Sequence, residues 1–273
     1  MTPLLDYRST GSGIPLVLVH GALCDLRMWE PVVPFLDGAF EVFTYSQRYF
    51  GRNPWQQNAP PFSYQTHAND LVQFIERVVQ RPAHVVAWSY GADVALLAAK
   101  LEPRCFLSAY YYELGRHTHI CEPEQLAIYE AEAQAMFGTV FAGLSDPNGI
   151  LPATAMLIDQ SAGETGYFQR QSTFQRAIQT ENASTLPLQL QQLSSLEVTC
   201  DDIKAISFPC CFAQGSQTRP LFKIATDIAY ACSMQQQQQL IAGTTHMLPI
   251  EQPQLFAERV LTFIQSVSSE FSK

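Results

Sequence analysis

His84-Val85-Val86-Ala87-Trp88-Ser89-Tyr90-Gly91-Ala92 runs an apolar, β-branched stretch directly into an alanine-rich helical pattern, with a single serine at the junction. Small residues stand two before and two after it, Ala87 and Gly91. A turn this tight brings neighbouring backbone close, and bulky side chains at those two positions would clash. The serine is then held above a sheet at a helix N-terminus, where unpaired N–H groups favour developing negative charge. The pattern is G-x-S-x-G with alanine in the first glycine position, which requires a negative φ there. A serine that simply caps the helix beginning at Tyr90 would give the same local pattern.

Outward from this turn, short apolar runs alternate with amphipathic segments. Strands are expected at Pro15–Val19, Phe40–Tyr45, His84–Trp88, Phe106–Tyr112, Ile206–Ala213 and Gln238–Ala242. Helices are expected at Ser63–Val79, with Ser63 as its cap, and at Tyr90–Leu101, Pro220–Ala231 and Pro253–Val267. This alternation predicts an α/β fold with a mostly parallel, doubly wound sheet. It stops between Gly115 and Cys200, where helical patterns at Glu124–Met136, Leu151–Gln160, Gln169–Ile178 and Leu186–Leu193 follow one another. A connection of that length is far beyond an ordinary loop and reads as an all-helical insertion. The expected organisation is a core of 1–113 and 201–273 with a helical lid, 114–200, after the sixth strand. The one low-complexity run, Gln235–Gln239, reads as the polar start of a strand.

Composition narrows the function classes. Sixteen cations against 25 anions leave a net charge of −9 in 273 residues. Nucleic-acid binding needs a basic face, and an anionic membrane surface attracts one, so neither partner is expected. No apolar run is long enough to span a bilayer, and the Ile14–Val19 run meets His20-Gly21, which is poor signal-peptide chemistry. Seven cysteines, an odd number with no C-x-x-C pair, read as reduced thiols of a cytoplasmic protein. His117, His119 and Cys121 form H-x-H-x-C, but no partner cluster completes a zinc site, so no metal or cofactor is expected.

Three further segments give the serine turn its context. His20-Gly21-Ala22 follows the Pro15–Val19 strand and continues to Trp29; Ser46-Gln47-Arg48-Tyr49-Phe50-Gly51 follows the next strand; Gly243-Thr244-Thr245-His246-Met247-Leu248-Pro249 follows the last. Together with the serine turn they resemble the α/β-hydrolase family, over about two thirds of the chain. The resemblance implies Ser89 as nucleophile, His246 as base, and the backbone N–H groups of Ala22 and Tyr90 as an oxyanion hole, with His20 bracing the loop and Arg48 tying its own loop to the sheet. A serine hydroxyl needs such a base to become a nucleophile, and a neutral imidazole near pH 7 can take the proton and return it.

The third member departs from the family. Its aspartate commonly follows the strand after the lid, where this chain reads Gln214-Gly215-Ser216-Gln217-Thr218-Arg219-Pro220. No Asp or Glu occurs between Asp202 and Asp227, and Gln217 or Thr218 stands near the acid's place. Two readings stand: the acid is lost, and activity with it, or it is Glu113, at the end of the Phe106–Tyr112 strand. Haloalkane dehalogenases, a branch of the family, include members with the acid there. The expected activity is cofactor-independent hydrolysis of a small or medium carboxylic ester, thioester or lactone through an acyl-enzyme. C–C bond hydrolysis, acyl transfer, lyase chemistry or ligand binding without catalysis would fit the same scaffold.

Overall fold

A computed structural model describes residues 5–53, 55, 58–192, 197–234 and 236–270. Seven strands form one sheet: β1 (Tyr7–Gly11), β2 (Ile14–Val19), β3 (Phe40–Tyr45), β4 (Ala83–Trp88), β5 (Phe106–Tyr112), β6 (Cys210–Gly215) and β7 (Gln237–Ile241). Their order is β1-β3-β2-β4-β5-β6-β7, and β1 alone runs antiparallel, against β3. β4 therefore sits at the centre, between β2 and β5, and all six of its residues are buried. Val, Ile, Leu and aromatic residues fill the inner strands because both faces of a parallel sheet are covered by helices.

The helices are α1 (Tyr64–Phe74), α2 (Tyr90–Leu101), α3 (Pro123–Leu144), α4 (Ile150–Ala162), α5 (Tyr167–Arg170), α6 (Thr173–Glu181), α7 (Leu186–Gln191), α8 (Cys200–Lys204), α9 (Pro220–Cys232), α10 (Leu248–Glu251) and α11 (Pro253–Glu270). Ser63 caps α1 as expected, its Oγ accepting from the Thr66 N–H at 3.1 Å. That helix passes into a wider turn, Ile75–Val79, and ends at Gln80 with φ +62°. The expected helix across Gln169–Ile178 is two helices, because Ser172 caps a fresh start at Thr173 and forms a reciprocal box with Gln175. α3 runs eight residues past its expected end at Met136. β6 begins at Cys210 and not at Ile206, since Pro209 has no N–H to give a ladder; its carbonyl accepts from Ala109 instead. Leu193 and Gln235 lie outside the described residues.

Helices α3 to α7 lie between β5 and β6, with no strand among the described residues from 113 to 209. They follow the fifth strand and not the sixth, because only β1 precedes the buried β2 strand. This helical segment is fastened to the core on two sides. Asn182 donates to Asp25 Oδ2 at 2.9 Å and accepts from the Gly51 N–H at 2.7 Å. Gly115 and Arg116, where the chain leaves the sheet, donate their N–H groups to Asp93 on α2.

The thiol reading needs correction. Cys200 at the start of α8 and Cys232 at the end of α9 form a disulfide, and five cysteines remain free. They stand 32 residues apart, so only packing of α8 on α9 brings them together, and spacing held no sign of it. The bridge removes the thiol argument for a cytoplasmic site. Among the described residues, no helix is long and apolar enough to cross a membrane.

Candidate active site

Ser89 sits between β4 and α2 with φ +57° and ψ −125°, a backbone conformation that a non-glycine residue rarely adopts. Ala87, by contrast, stays in ordinary extended backbone inside β4, which is what alanine in that position requires. The Ser89 N–H donates to Tyr112 O at 2.9 Å, so the β4–β5 ladder holds the turn. Gly91 is needed for a different reason: a Cβ there would come within 2.4 Å of His20 O and 2.6 Å of Val19 O. The end of β2 thus crosses directly over the first turn of α2.

The three residues singled out from sequence meet. Ser89 Oγ lies 3.0 Å from His246 Nε2, and His246 Nδ1 lies 2.6 Å from Glu113 Oε2. Glu113 is fully buried and has φ +54°. Its other oxygen, Oε1, accepts from the Gly215 N–H at 2.8 Å, and Oε2 also accepts from the Thr218 hydroxyl at 2.6 Å. The last residue of β6 and the loop after it therefore each supply one donor to a carboxylate at the end of β5. Parallel neighbours in the sheet make the exchange possible: the ends of β5 and β6 lie side by side, and the Glu113 N–H bonds Ala213 O at 3.0 Å.

Several residues that sequence reading missed fix the histidine. Phe222, on α9, stacks on the His246 ring with centroids 3.8 Å apart and planes at 11°. Trp88 Nε1 donates to His246 O at 3.0 Å, and the Tyr112 hydroxyl donates to Thr245 O at 2.6 Å. Trp88 and Tyr112 could have been suspected as the last residues of the two strands beside the serine. Nothing local marks Phe222, whose role depends on where α9 packs.

The loop after β2 is braced as expected. His20 is wholly buried, and burial lowers its pKa to about 4, so it is neutral. Its Nε2 accepts from the Gln47 N–H at 3.0 Å, which leaves Nδ1 to donate to Gly21 O at 2.8 Å. Arg48 ties its loop to α1 and not to the sheet, through a buried two-pronged pair with Asp70 at 2.8 and 2.6 Å. His67 donates to Arg48 O and accepts from the Tyr90 hydroxyl at 2.6 Å, which pins the residue after the serine. Ala22 and Tyr90 line the same cavity as Ser89 and His246. Tyr90 opens α2, and the first N–H groups of a helix have no partner within it. Of the H-x-H-x-C residues, His119 donates Nε2–H to Ala225 O at 2.7 Å, and among the described residues no group of three metal-ligating side chains assembles.

The cavity has a volume of about 130 Å³. The core supplies its floor, with Ser89, His246 and Phe222; the helical segment supplies Met136, Phe137, Leu157 and Ile158. An apolar cavity of about 150 Å³ holds a benzene-sized ligand, which sets the scale of the group that fits.

The buried histidines also set the pH dependence of stability. Burial lowers His20 to about 4, His67 to about 3, and His84 and His119 to about 4. Each is near 6.5 in an unfolded chain. Between these values the unfolded chain binds protons that the fold refuses, so their stabilisation is present above about pH 6.5 and lost as pH falls toward about 4. Asp93 acts oppositely: burial raises it to about 7, so its contribution is lost as pH rises toward that value. Four groups outweigh one, and the urea midpoint is expected to fall between pH 7 and pH 5. A midpoint that rises over that interval would contradict the burial of these rings.

Set beside known proteins, residues 16–259 match the profile of the Alpha/beta hydrolase family. A pimeloyl-[acyl-carrier protein] methyl ester esterase from Methylococcus capsulatus is 35% identical over 99 residues, 36% of this chain and 36% of that protein. The chain thus spans little more than a third of the length of that curated relative. Among solved structures, a thermophilic esterase from Thermogutta terrifontis superposes with a TM-score of 0.72 at 19% identity, covering 98% of this chain and 96% of that one. A bromoperoxidase from Bacillus anthracis gives 0.75 at 20% identity, covering 95% and 94%. At such identities the structures speak for the fold alone; the profile, which runs from the first buried strand into the last helix, carries the assignment. The chain belongs to the alpha/beta hydrolase family.

Proposed function

We propose that this protein is a serine hydrolase that cleaves a small carboxylic ester, thioester or lactone through an acyl-enzyme, without a cofactor. The observation that supports it is the unbroken hydrogen-bonded chain Ser89–His246–Glu113, at 3.0 and 2.6 Å. In this reading Ser89 Oγ attacks the carbonyl carbon as its proton passes to His246 Nε2. Glu113 keeps Nδ1 protonated and balances the imidazolium. The tetrahedral oxyanion accepts from the N–H groups of Ala22 and Tyr90, each such donor being worth about 2.7–4 kcal/mol. The intermediate collapses as His246 returns the proton to the leaving alkoxide or thiolate. Water then enters, gives its proton to His246, and releases the acid and the free serine hydroxyl.

The helical segment, 114–200, serves as a lid in this scheme. It closes the cavity above Ser89 with apolar side chains, restricts entry to small molecules and excludes polymers. A small-molecule substrate, and neither nucleic acid nor a membrane, is the partner that the net charge of −9 favours. The similarity to a methyl ester esterase leans the same way.

A fluorophosphonate probe tests the reading, since it reacts only with a serine activated by a base. Mass spectrometry is expected to find stoichiometric labelling on Ser89, together with turnover of p-nitrophenyl acetate or butyrate. No labelling of the folded protein would return it to the ligand-binding alternative.

A further inference from the structure

The cavity wall is largely apolar, but besides Ser89, His246, Asp93 and Ser161 it carries three side-chain amides. Gln179 of α6, Gln189 of α7 and Gln192 just beyond it all line it. Gln179 is only 1% exposed, yet its Oε1 has no hydrogen-bond partner among the described residues. Gln189 Nε2 and Gln192 Oε1 are likewise buried and unpaired. Gln192 is not loose: its Nε2 donates to Gln189 O at 3.0 Å. Buried polar atoms ordinarily find partners, and leaving one unmade is costly. Three such atoms on the wall of one cavity point to a partner that arrives with the ligand.

Their chemistry limits what that partner is. The unpaired atoms belong to neutral amides, which between them offer acceptors and a donor. Among the described residues no Lys or Arg lines the cavity. Its one carboxylate, Asp93, already accepts from the Gly115 and Arg116 N–H groups. An anionic ligand group would be desolvated there without a counterion, and burial raises Asp93 to about 7, which weakens it as the partner of a cation. Resting on the hydrolase reading, we infer that the acyl group of the substrate carries a neutral hydrogen-bonding group, a hydroxyl or a carboxamide. That group is read by Gln179, with Gln189 and Gln192 beside it. Plain alkyl esters are then poor substrates because they bury these amides unpaired.

The test compares p-nitrophenyl esters of matched size: butyrate against 3-hydroxybutyrate, and pentanoate against N-acetylglycinate. The first pair reports a hydroxyl and the second an amide. The wild-type enzyme is expected to favour at least one polar member about 10- to 100-fold in kcat/KM. Gln179→Met, which keeps the length of the side chain and removes its polar atoms, is expected to abolish that preference. Gln189→Met is a second, independent variant. A ratio of two substrates does not depend on the folded fraction, so a structural role alone would not move it. A wild-type ratio near one for both pairs, or ratios that neither variant changes, would overturn the inference. If no ester is turned over, the hydrolase reading fails, and ligand-observed NMR with 3-hydroxybutyramide against butyramide decides the pocket separately. Tighter binding of the hydroxylated amide, lost in Gln179→Met, would support it; equal binding would refute it.

Discussion

Glu113→Gln is expected to lower kcat on aryl esters by about 10⁴-fold while the protein stays folded. The size of the effect follows from the donors around the carboxylate. Oε1 accepts from the Gly215 N–H, which can only donate, so the amide oxygen of a glutamine must take that place. Its NH₂ is thereby turned toward His246 Nδ1. There it donates, where Glu113 Oε2 accepted, and the ring is driven into the tautomer that carries its proton on Nε2. That nitrogen faces Ser89 Oγ and can no longer take its proton. The Thr218 hydroxyl can rotate and accept from the new amide, so stability changes little. The flipped amide would instead set NH₂ against a backbone N–H, which is worse. A matching loss in fluorophosphonate labelling would trace the defect to the nucleophile. A kcat within about tenfold of wild type would remove Glu113 from the chemistry.

The placement of this acid also marks how far the sequence could be read. Gln214 to Pro220 lacks a carboxylate, and Glu113 ends a strand expected to neighbour that loop, so the candidate emerged from its own position and the emptiness of the usual one. Ser89 and His246 were legible because each lies on a short segment whose glycines and strand context are set locally. Thr218 could be located but not interpreted: its value lies in donating to a residue 105 positions away. Phe222 on the histidine, the three glutamines of the cavity and the Cys200–Cys232 bridge were invisible for the same reason. Their partners come from remote stretches, and only the packing of α6, α7, α8 and α9 brings them together. The element boundaries that slipped did so where a local rule outweighed periodicity. Ser172 restarted a helix, and Pro209 delayed a strand.

Ser89→Ala is expected to remove aryl-ester turnover and fluorophosphonate labelling altogether, a loss on the order of 10⁶ in kcat for a residue that acts as one unit with its base. The substitution is clean in this structure. The neighbouring Gly21 backbone packs beside the serine Cβ, which alanine retains, so no clash and no cavity larger than one oxygen arise. The unusual backbone at φ +57° is held by β4, α2 and the bond from the Ser89 N–H to Tyr112 O, none of which involves the hydroxyl. Melting temperature and binding of a small acyl amide should therefore persist while chemistry stops. That separation distinguishes a nucleophile from a helix cap, because the hydroxyl makes no capping bond at this junction. A non-glycine residue held in so rare a conformation is costly, by about 1–3 kcal/mol, and such strain persists where the surrounding structure enforces it for a purpose. Here that purpose is to lift Oγ clear of the sheet and toward His246. If Ser89→Ala kept its ester turnover, the attacking group would have to be another one, and the Ser89–His246 contact would be left with no chemical role.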